Sequence, residues 1–369
     1  MYSENAPDKF RFIKTLKGKA ADRVPNWEFV LMRRNTEALL GEKRLEEIEE
    51  QYRKCQTVWP PRSETEINDR SSLASYSCYL PVEDTIHILG KTGQDAAVCT
   101  LSWKPKSRKP ESETTVARGQ EGIIQDRSEL YLMPDPPSIE QMMVPLDYYI
   151  KGLKNTGIGV GVLVRSVFCN TYETLGMENF MLKMYDDPAF ITELFDIFHH
   201  YSVSVVHKAA AREVDFLALD DDLCDNNGFL VNPDFIKNQW LPRTKEIIEP
   251  FIRQNKPVLY HCCGNIKELL PMIIDMGISA VHPIQPNCND IYEYKKEYGS
   301  DLCFVGNIDL AGVLSFGTPE QVKEETKYHI ENLSSGGGYI VGSSHSITDD
   351  VPPENYQAMV ETVWEYGRY

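Results

Sequence analysis

From about residue 158 onward, short β-branched apolar runs alternate with longer stretches in which apolar residues recur every three or four positions. Residues 160–168 (VGVLVRSVF) are apolar on both alternating sets, the pattern of a strand buried on both faces. Asp187 then precedes Pro188, a helix cap followed by proline at the first helical position, and Phe190, Ile191, Leu194, Phe195, Ile197 and Phe198 make a helical stripe. Residues 216–219 predict the next strand, which runs into Asp220-Asp221-Asp222. Asn232-Pro233 opens a helix interrupted by Pro242 and Pro250, so a kinked or split helix is expected. Four strand–helix units follow, their strands starting near Pro257, Ser279, Leu302 and Tyr339, 22, 23 and 37 residues apart. Gly277 and Gly299 stop the intervening helices, and Thr318-Pro319-Glu320-Gln321 is a capping box. The last helix starts after Pro352-Pro353 and ends at Gly367.

Strands alternating with helices predict a parallel sheet, either a closed barrel or an open doubly wound sheet. No G-x-G-x-x-G or G-x-x-x-x-G-K-S/T follows any strand, which removes the usual mark of a nucleotide-binding open sheet. Polar groups end strand after strand: Asp220 to Asp222, His261, Gln285, Asn307 with Asp309, and Ser344 with His345. That pattern fits the active face of a barrel. The expected fold is α/β, a single (β/α)₈ TIM barrel with an elaborated N-terminal region. Residues 24–30 (VPNWEFV) are read as its first strand. Residues from about 85 to 130, rich in charge and turn formers over 104–128, are read as surface hairpins inserted before the regular repeats. No linker divides the text, so residues 1–369 are read as one domain.

Composition narrows the partners. The 369 residues hold 38 Lys+Arg against 55 Asp+Glu, a formal charge of −17, and 42% are hydrophobic. A chain this long and apolar builds a full core, which excludes disorder as its dominant state. The acidic balance argues against nucleic acid and against anionic lipid surfaces. No apolar run reaches the roughly 20 residues of a membrane helix, and the start, MYSENAPDKFRF, has no signal-peptide core. Nine cysteines, an odd number without framework spacing, read as reduced thiols in a cytoplasmic protein.

The strongest local chemistry is Leu259-Tyr260-His261-Cys262-Cys263-Gly264-Asn265. Positions i and i+2 of a strand face the same way, so His261 and Cys263 present an imidazole and a thiolate together at a strand end. Zinc accepts that pair, and a catalytic zinc needs one more protein ligand and an open position. The bland alternative is a buried cysteine beside a hydrogen-bonded histidine. His345 at the end of the last strand, or a carboxylate of Asp220 to Asp222, can complete the set. His282 also ends a strand, but Pro283 follows it and lowers its weight. Asn307 and Asp309 either orient a ligand or form an Asx-turn. Arg165 inside an apolar strand must meet a carboxylate, from the acidic run or from a substrate, and Glu28 within Trp27-Glu28-Phe29 is a buried carboxylate. The set read from these residues gives catalytic roles to Asp220, Asp222, Asn307 and Asp309, substrate contacts to Arg165, Glu28 and Gln285, and metal ligation to His261, Cys263 and His345.

His-x-Cys-Gly-Asn, Pro283-Ile284-Gln285-Pro286, Gly306-Asn307-Ile308-Asp309, Gly317 to Val322, Gly336-Gly337-Gly338-Tyr339-Ile340 and Asp350-Val351-Pro352-Pro353-Glu354-Asn355 follow one another in order. This string, with Asp22-Arg23-Val24-Pro25 near the start, resembles the uroporphyrinogen decarboxylase superfamily over about residues 155–369. The resemblance implies a single (β/α)₈ barrel and either decarboxylation of a polycarboxylate tetrapyrrole or corrinoid-linked methyl transfer. The decarboxylases look like R-x-P-V-W-x-M-R-Q-A-G-R near the amino end, whereas residues 23–35 read RVPNWEFVLMRRN and lack the R-Q-A-G-R string. The methyltransferases have zinc on H-x-C plus a later cysteine, and this chain has Ser344-His345 at that later place. The resemblance therefore implies a zinc-dependent enzyme that moves a methyl group from a small, O-methyl-type substrate to a corrinoid protein, with His345 or Asp222 as third ligand. The corrinoid arrives on that partner, because the chain lacks D-x-H-x-x-G. A scaffold that binds the corrinoid without turnover is the reading from another class.

Overall fold

The computed structural model describes residues 6–54, 80–103 and 122–369. Its strands are β1 (Ala96–Thr100), β2 (Gly159–Arg165), β3 (Phe216–Asp220), β4 (Cys224–Asp225), β5 (Gly228–Phe229), β6 (Val258–His261), β7 (Ala280–His282), β8 (Cys303–Val305) and β9 (Tyr339–Ile340). Seven of them form one sheet in the order β1-β2-β3-β6-β7-β8-β9, every pair parallel, and β4 with β5 makes a small antiparallel hairpin after β3.

The apolar runs divide by parity between two cores. Ala96, Val98, Leu163, Phe216, Ala218, Leu259, Ala280, Cys303, Val305 and Ile340 form one cluster with Phe12, Trp27 and Phe29. Their alternates, such as Val160, Val162, Leu217, Leu219, Tyr260, Val281, Phe304 and Tyr339, join the helices in the other. The sheet is curled. Trp27 lies beside the edge strand β9 yet its ring meets Phe216 of β3 at 6.4 Å across the concave interior. Gly161 makes room for that ring, since a Cβ there would lie 2.3 Å from Phe216 Cζ.

Residues 24–30, read as the first strand, and Leu31 after them run beside β9 through isolated parallel bridges, Asn26 to Val341 and Leu31 to Ile347. Pro25 offers only a carbonyl, which accepts the Val341 N–H at 2.9 Å. On its other side the segment is joined to the entry of β1 by side chains, with Glu28 N–H on Gln94 Oε1 at 3.0 Å and Asn26 Nδ2 on Thr92 O at 2.8 Å. Among the described residues the strand ladder thus contains seven members.

Two further boundaries differ from the reading. The strand expected over 160–168 stops at Arg165, because the Asp221 carboxylate accepts the N–H groups of Phe168 and Cys169 and starts helix Val167–Leu175. Of the stretch 85–130, residues 104–121 lie outside the described residues. The rest is not hairpins: Val82–Thr92 is a helix, β1 belongs to the main sheet, and Arg127–Leu132 is a 3₁₀ turn. The short run AAVCT is buried throughout, which turn-former counting passes over. The helix after Asn232 is split as expected: Pro233–Phe235, a π turn Ile236–Trp240, then Leu241–Arg253 containing Pro242 and Pro250. The Thr318 capping box and the helix Pro353–Tyr366 form as read. No helix among the described residues is long and apolar enough to cross a membrane.

Candidate metal and substrate site

Strand register builds the site. Arg165 lies opposite Asp220, Asp220 opposite His261, and His261 opposite His282, one row across β2, β3, β6 and β7. Each stands two residues beyond an interior apolar residue (Leu163, Ala218, Leu259, Ala280), so all four face the concave side at the carboxyl ends. A polar row caps the apolar one.

Beyond His261 the chain turns, and Cys263 returns to its side. The Cys263 N–H gives to Asp222 Oδ1 at 2.7 Å, His261 Nε2 lies 3.6 Å from Cys263 Sγ, and Asp222 Oδ1 lies 3.8 Å from His261 Nε2. One ligand atom from each of Asp222, His261 and Cys263 falls within 4.8 Å of the others. Gly264 (φ +84°) lets this loop press on the β4–β5 hairpin, where a Cβ would meet Asp225 O at 2.5 Å. Gln285 Oε1 accepts the Gly264 N–H at 2.7 Å, so this residue fastens the loop. A carboxylate, an imidazole and a thiol converging at a strand end suit a borderline-soft cation such as zinc. His345 stands nearby, its ring 6.2 Å from that of His261 and nearly perpendicular to it. Its Nδ1 is buried without a partner among the described residues, and burial, then His261, lowers its pKa.

A second convergence, Cys169, Asp220 and Asp222, fits a cation poorly. Asp220 accepts Arg165 Nε at 2.9 Å, and Cys169 Sγ accepts the Asp222 N–H at 2.9 Å and gives its proton to Tyr172 Oη at 3.3 Å. Burial raises the Cys169 pKa well above the ordinary thiol value, outweighing Arg165.

The remaining expected residues divide between the mouth and its supports. Arg165 does meet the acidic run, through Asp220, and also Glu173. Burial opposes its charge, but the two carboxylates win and raise its pKa. Glu28 is buried with its Oε1 accepting the Ser343 N–H at 2.9 Å and its Oε2 2.6 Å from Ser343 Oγ. Burial pushes Glu28 up to about 8, against the Ser343 hydrogen bonds. Asn307 bridges Ile284 O and His329 Nε2 at 2.8 and 2.9 Å, while Asp309 caps the turn Leu310–Leu314 through the Ala311 N–H. Asn307 thus ties a loop carbonyl to the His329 imidazole and Asp309 holds backbone; neither is part of the Asp222–His261–Cys263 group. Asp221, the middle of the acidic run, is fully buried under Trp240 Nε1 at 2.8 Å, and burial lifts it to about 7.

Three features were not foreseen. His282, discounted for its following proline, puts its Nδ1 2.7 Å from His261 Nδ1. Phe29 stacks on both rings, at 4.4 and 5.3 Å. Glu173, a helix residue, closes on Arg165. The matched endings YH and AVH of consecutive strands carried the first signal; the other two depend on contacts between distant segments.

The family model described as Uroporphyrinogen decarboxylase (URO-D) matches residues 158–366, more than half of the chain. A uroporphyrinogen decarboxylase from Vesicomyosocius okutanii is 32% identical over 79 residues, 21% of this chain and 22% of that protein. A methylated-thiol–coenzyme M methyltransferase from Methanosarcina mazei is 25% identical over 190 residues, 52% of this chain and 48% of that protein. The chain thus spans about half or less of the curated relatives it matches. A solved methyltransferase from Methanosarcina mazei shares the fold, with TM-score 0.64 and 16% identity over 97% of this chain and 98% of that one.

Proposed function

This chain belongs to the uroporphyrinogen decarboxylase family, and from that premise we propose that it is a zinc-dependent methyltransferase, moving a methyl group from a small methylated substrate to the corrinoid of a partner protein. The observation that carries the reading is the convergence of Asp222, His261 and Cys263 on the polar row. The methyl transfer named for the Methanosarcina mazei relative supports it, and so does the fit of the donors, one nitrogen, one sulfur and one oxygen. Asp222, His261 and Cys263 would hold the ion, with His345 close enough to join after a side-chain rotation. Zinc bound there supplies Lewis acidity toward a substrate heteroatom.

The chain's own residues do the rest. Phe29 lies flat on His261 and keeps water from the inner side of the imidazole. Asp222 takes the Cys263 N–H and so orients the loop that carries the thiol. Arg165, held between Asp220 and Glu173, sets one cationic edge beside the donors. Those two carboxylates already compensate Arg165, and Arg33 is likewise spent on Glu37 and Glu49. A tetrapyrrole with four or more carboxylates would find few open cations among the described residues, which favours the small substrate. A closed eight-stranded barrel, with residues 24–31 as the missing strand, belongs to the same reading.

Metal analysis of the purified chain, with His261→Ala and Cys263→Ala as controls, tests it. About one zinc per chain is expected, lost in both variants, and methyl transfer to or from cobalamin should fall by about 100-fold or more, the worth of several kcal/mol of Lewis-acid stabilisation. Carboxyl loss from uroporphyrinogen III by a metal-free chain would overturn the reading in favour of decarboxylation.

A further inference from the structure

We propose that His282 is the positioning residue of His261: its Nδ1 takes the proton of His261 Nδ1 and thereby leaves His261 Nε2 as a bare lone pair between Asp222 and Cys263. This rests on the metal reading above and deepens it. The two histidines are register partners on β6 and β7, with Nδ1 to Nδ1 at 2.7 Å. A contact that short between two imidazole nitrogens holds one proton, given by one ring and accepted by the other. Two neutral arrangements are therefore open, and they differ in what His261 presents at the mouth.

If the shared proton belonged to His282, His261 would carry its own on Nε2. That N–H would be hydrogen-bonded to Cys263 Sγ at 3.6 Å, with Asp222 Oδ1 at 3.8 Å beyond range. If the proton belongs to His261, the Nδ1 contact is the same hydrogen bond with its roles exchanged, and Nε2 is the lone pair a cation needs. His282 Nε2 has no partner among the described residues, as a bare acceptor in the first arrangement and as an N–H in the second. What decides between them is the ion: a cation held by Asp222 and Cys263 takes the His261 Nε2 lone pair and leaves the proton on Nδ1 for His282.

The surroundings hold this geometry. Phe29 stacks on both rings, and Trp27 stands edge-on to His282 at 5.9 Å. The His282 carbonyl accepts the Cys262 N–H at 3.0 Å, so one residue fastens both the imidazole and the chain leading to the thiol. Metal-bound histidines commonly give their second N–H to a carboxylate or a carbonyl. A neutral imidazole does that work here, at a fully buried position beside the strand ends that already carry Asp220 and Asp222. A third carboxylate would add like charge to that corner.

The test uses the full chain, its His282→Asn and His282→Phe variants, and His261→Ala. Asparagine keeps an acceptor where Nδ1 stands; phenylalanine keeps the ring and removes the acceptor. Nitrogen NMR of the zinc-loaded wild type should find the His261 proton on Nδ1 and hydrogen-bonded to His282, a bond absent from His282→Phe. Cobalt(II) titration should show affinity falling about 10–100-fold in His282→Phe, the usual cost of losing such a support, and within a few-fold of wild type in His282→Asn. The thiolate-to-cobalt absorption should persist in both. A zinc-loaded wild type in which His261 Nδ1–H is not hydrogen-bonded to His282, or unchanged cobalt affinity in a folded His282→Phe, overturns the proposal. If wild type and His261→Ala alike bind no cobalt, the metal reading fails and this proposal with it; cobalt bound equally well by wild type and His282→Phe fails the proposal alone.

Discussion

Ser343 Oγ has one proton and two oxygen neighbours at 2.6 Å, Glu28 Oε2 and the carbonyl of His345. The set is satisfied when Glu28 is itself protonated and donates to Ser343, which then donates to His345 O. Full burial points the same way, raising Glu28 to about 8. Glu28 therefore ties the segment at residues 24–31 to the loop that brings His345 to the site. The sign follows from the raised pKa. The folded state holds a proton that the unfolded chain releases near its ordinary value of 4.5, so this contribution is full below about 4.5 and is lost as pH rises to about 8. Glu28→Gln keeps the shape and a donor toward Ser343, so its stability relative to wild type should rise across that window, by up to about 1 kcal/mol per pH unit. Glu28→Ala should lose about 3 kcal/mol, from an orphaned Ser343 N–H and a cavity. Urea unfolding at several pH values checks both, and a flat difference between Glu28→Gln and wild type would refute the protonated form. Sequence reading found Glu28 as a buried carboxylate from Trp27-Glu28-Phe29 alone. Its partner 315 residues away was out of reach, because nothing local marks Ser343.

Between strands and helices, the acidic run shows how three identical neighbours take separate parts. Asp220 ends β3 facing inward and meets Arg165, while Asp222 lies past the strand and takes the Cys263 N–H. Asp221 points the other way, beneath helix Val167–Leu175 and the π turn that carries Trp240. Alternation along a strand is enough to foresee that the middle residue differs from its neighbours. Which N–H groups it would collect was not legible, since the helix start at Val167 lay inside a run that reads as strand. Asp221→Ala should orphan two backbone N–H groups and the Trp240 indole, costing about 3 kcal/mol or more, and Asp221→Asn should recover part of that with its remaining acceptor oxygen. Denaturant midpoints measure the order. Equal stability of wild type and Asp221→Ala would mean that the helix start is held by something else.

At the scale of the molecule, β3, β6 and β7 come from three consecutive strand–helix units, and their ends meet because they are paired neighbours in register, while the curl of the sheet brings Phe29 and His345 to the same mouth. The repeat spacing made those units readable, and the strand-end placement of His261 and Cys263 made two of the three donors readable, with Asp222 left as an alternative to His345 for the third. The curl itself comes from contacts such as Trp27 on Phe216, between residues 189 positions apart. An ion held by Asp222, His261 and Cys263 would cross-link the loop after β3 to the end of β6 and the loop beyond it. Binding to the folded state alone stabilises it by about 2.7 kcal/mol at a free ion concentration 100 times Kd. For a chain of 369 residues that corresponds to a Tm rise of about 3–4 °C. Zinc added to metal-free protein should therefore raise Tm by several degrees, and magnesium, which prefers six oxygen ligands, should not. His261→Ala should abolish the zinc effect, and His345→Ala should reduce it only if that imidazole rotates in to join the set. A wild-type Tm indifferent to zinc at saturating concentration would remove the ion from the site and leave Asp222, His261 and Cys263 as hydrogen-bonding neighbours alone.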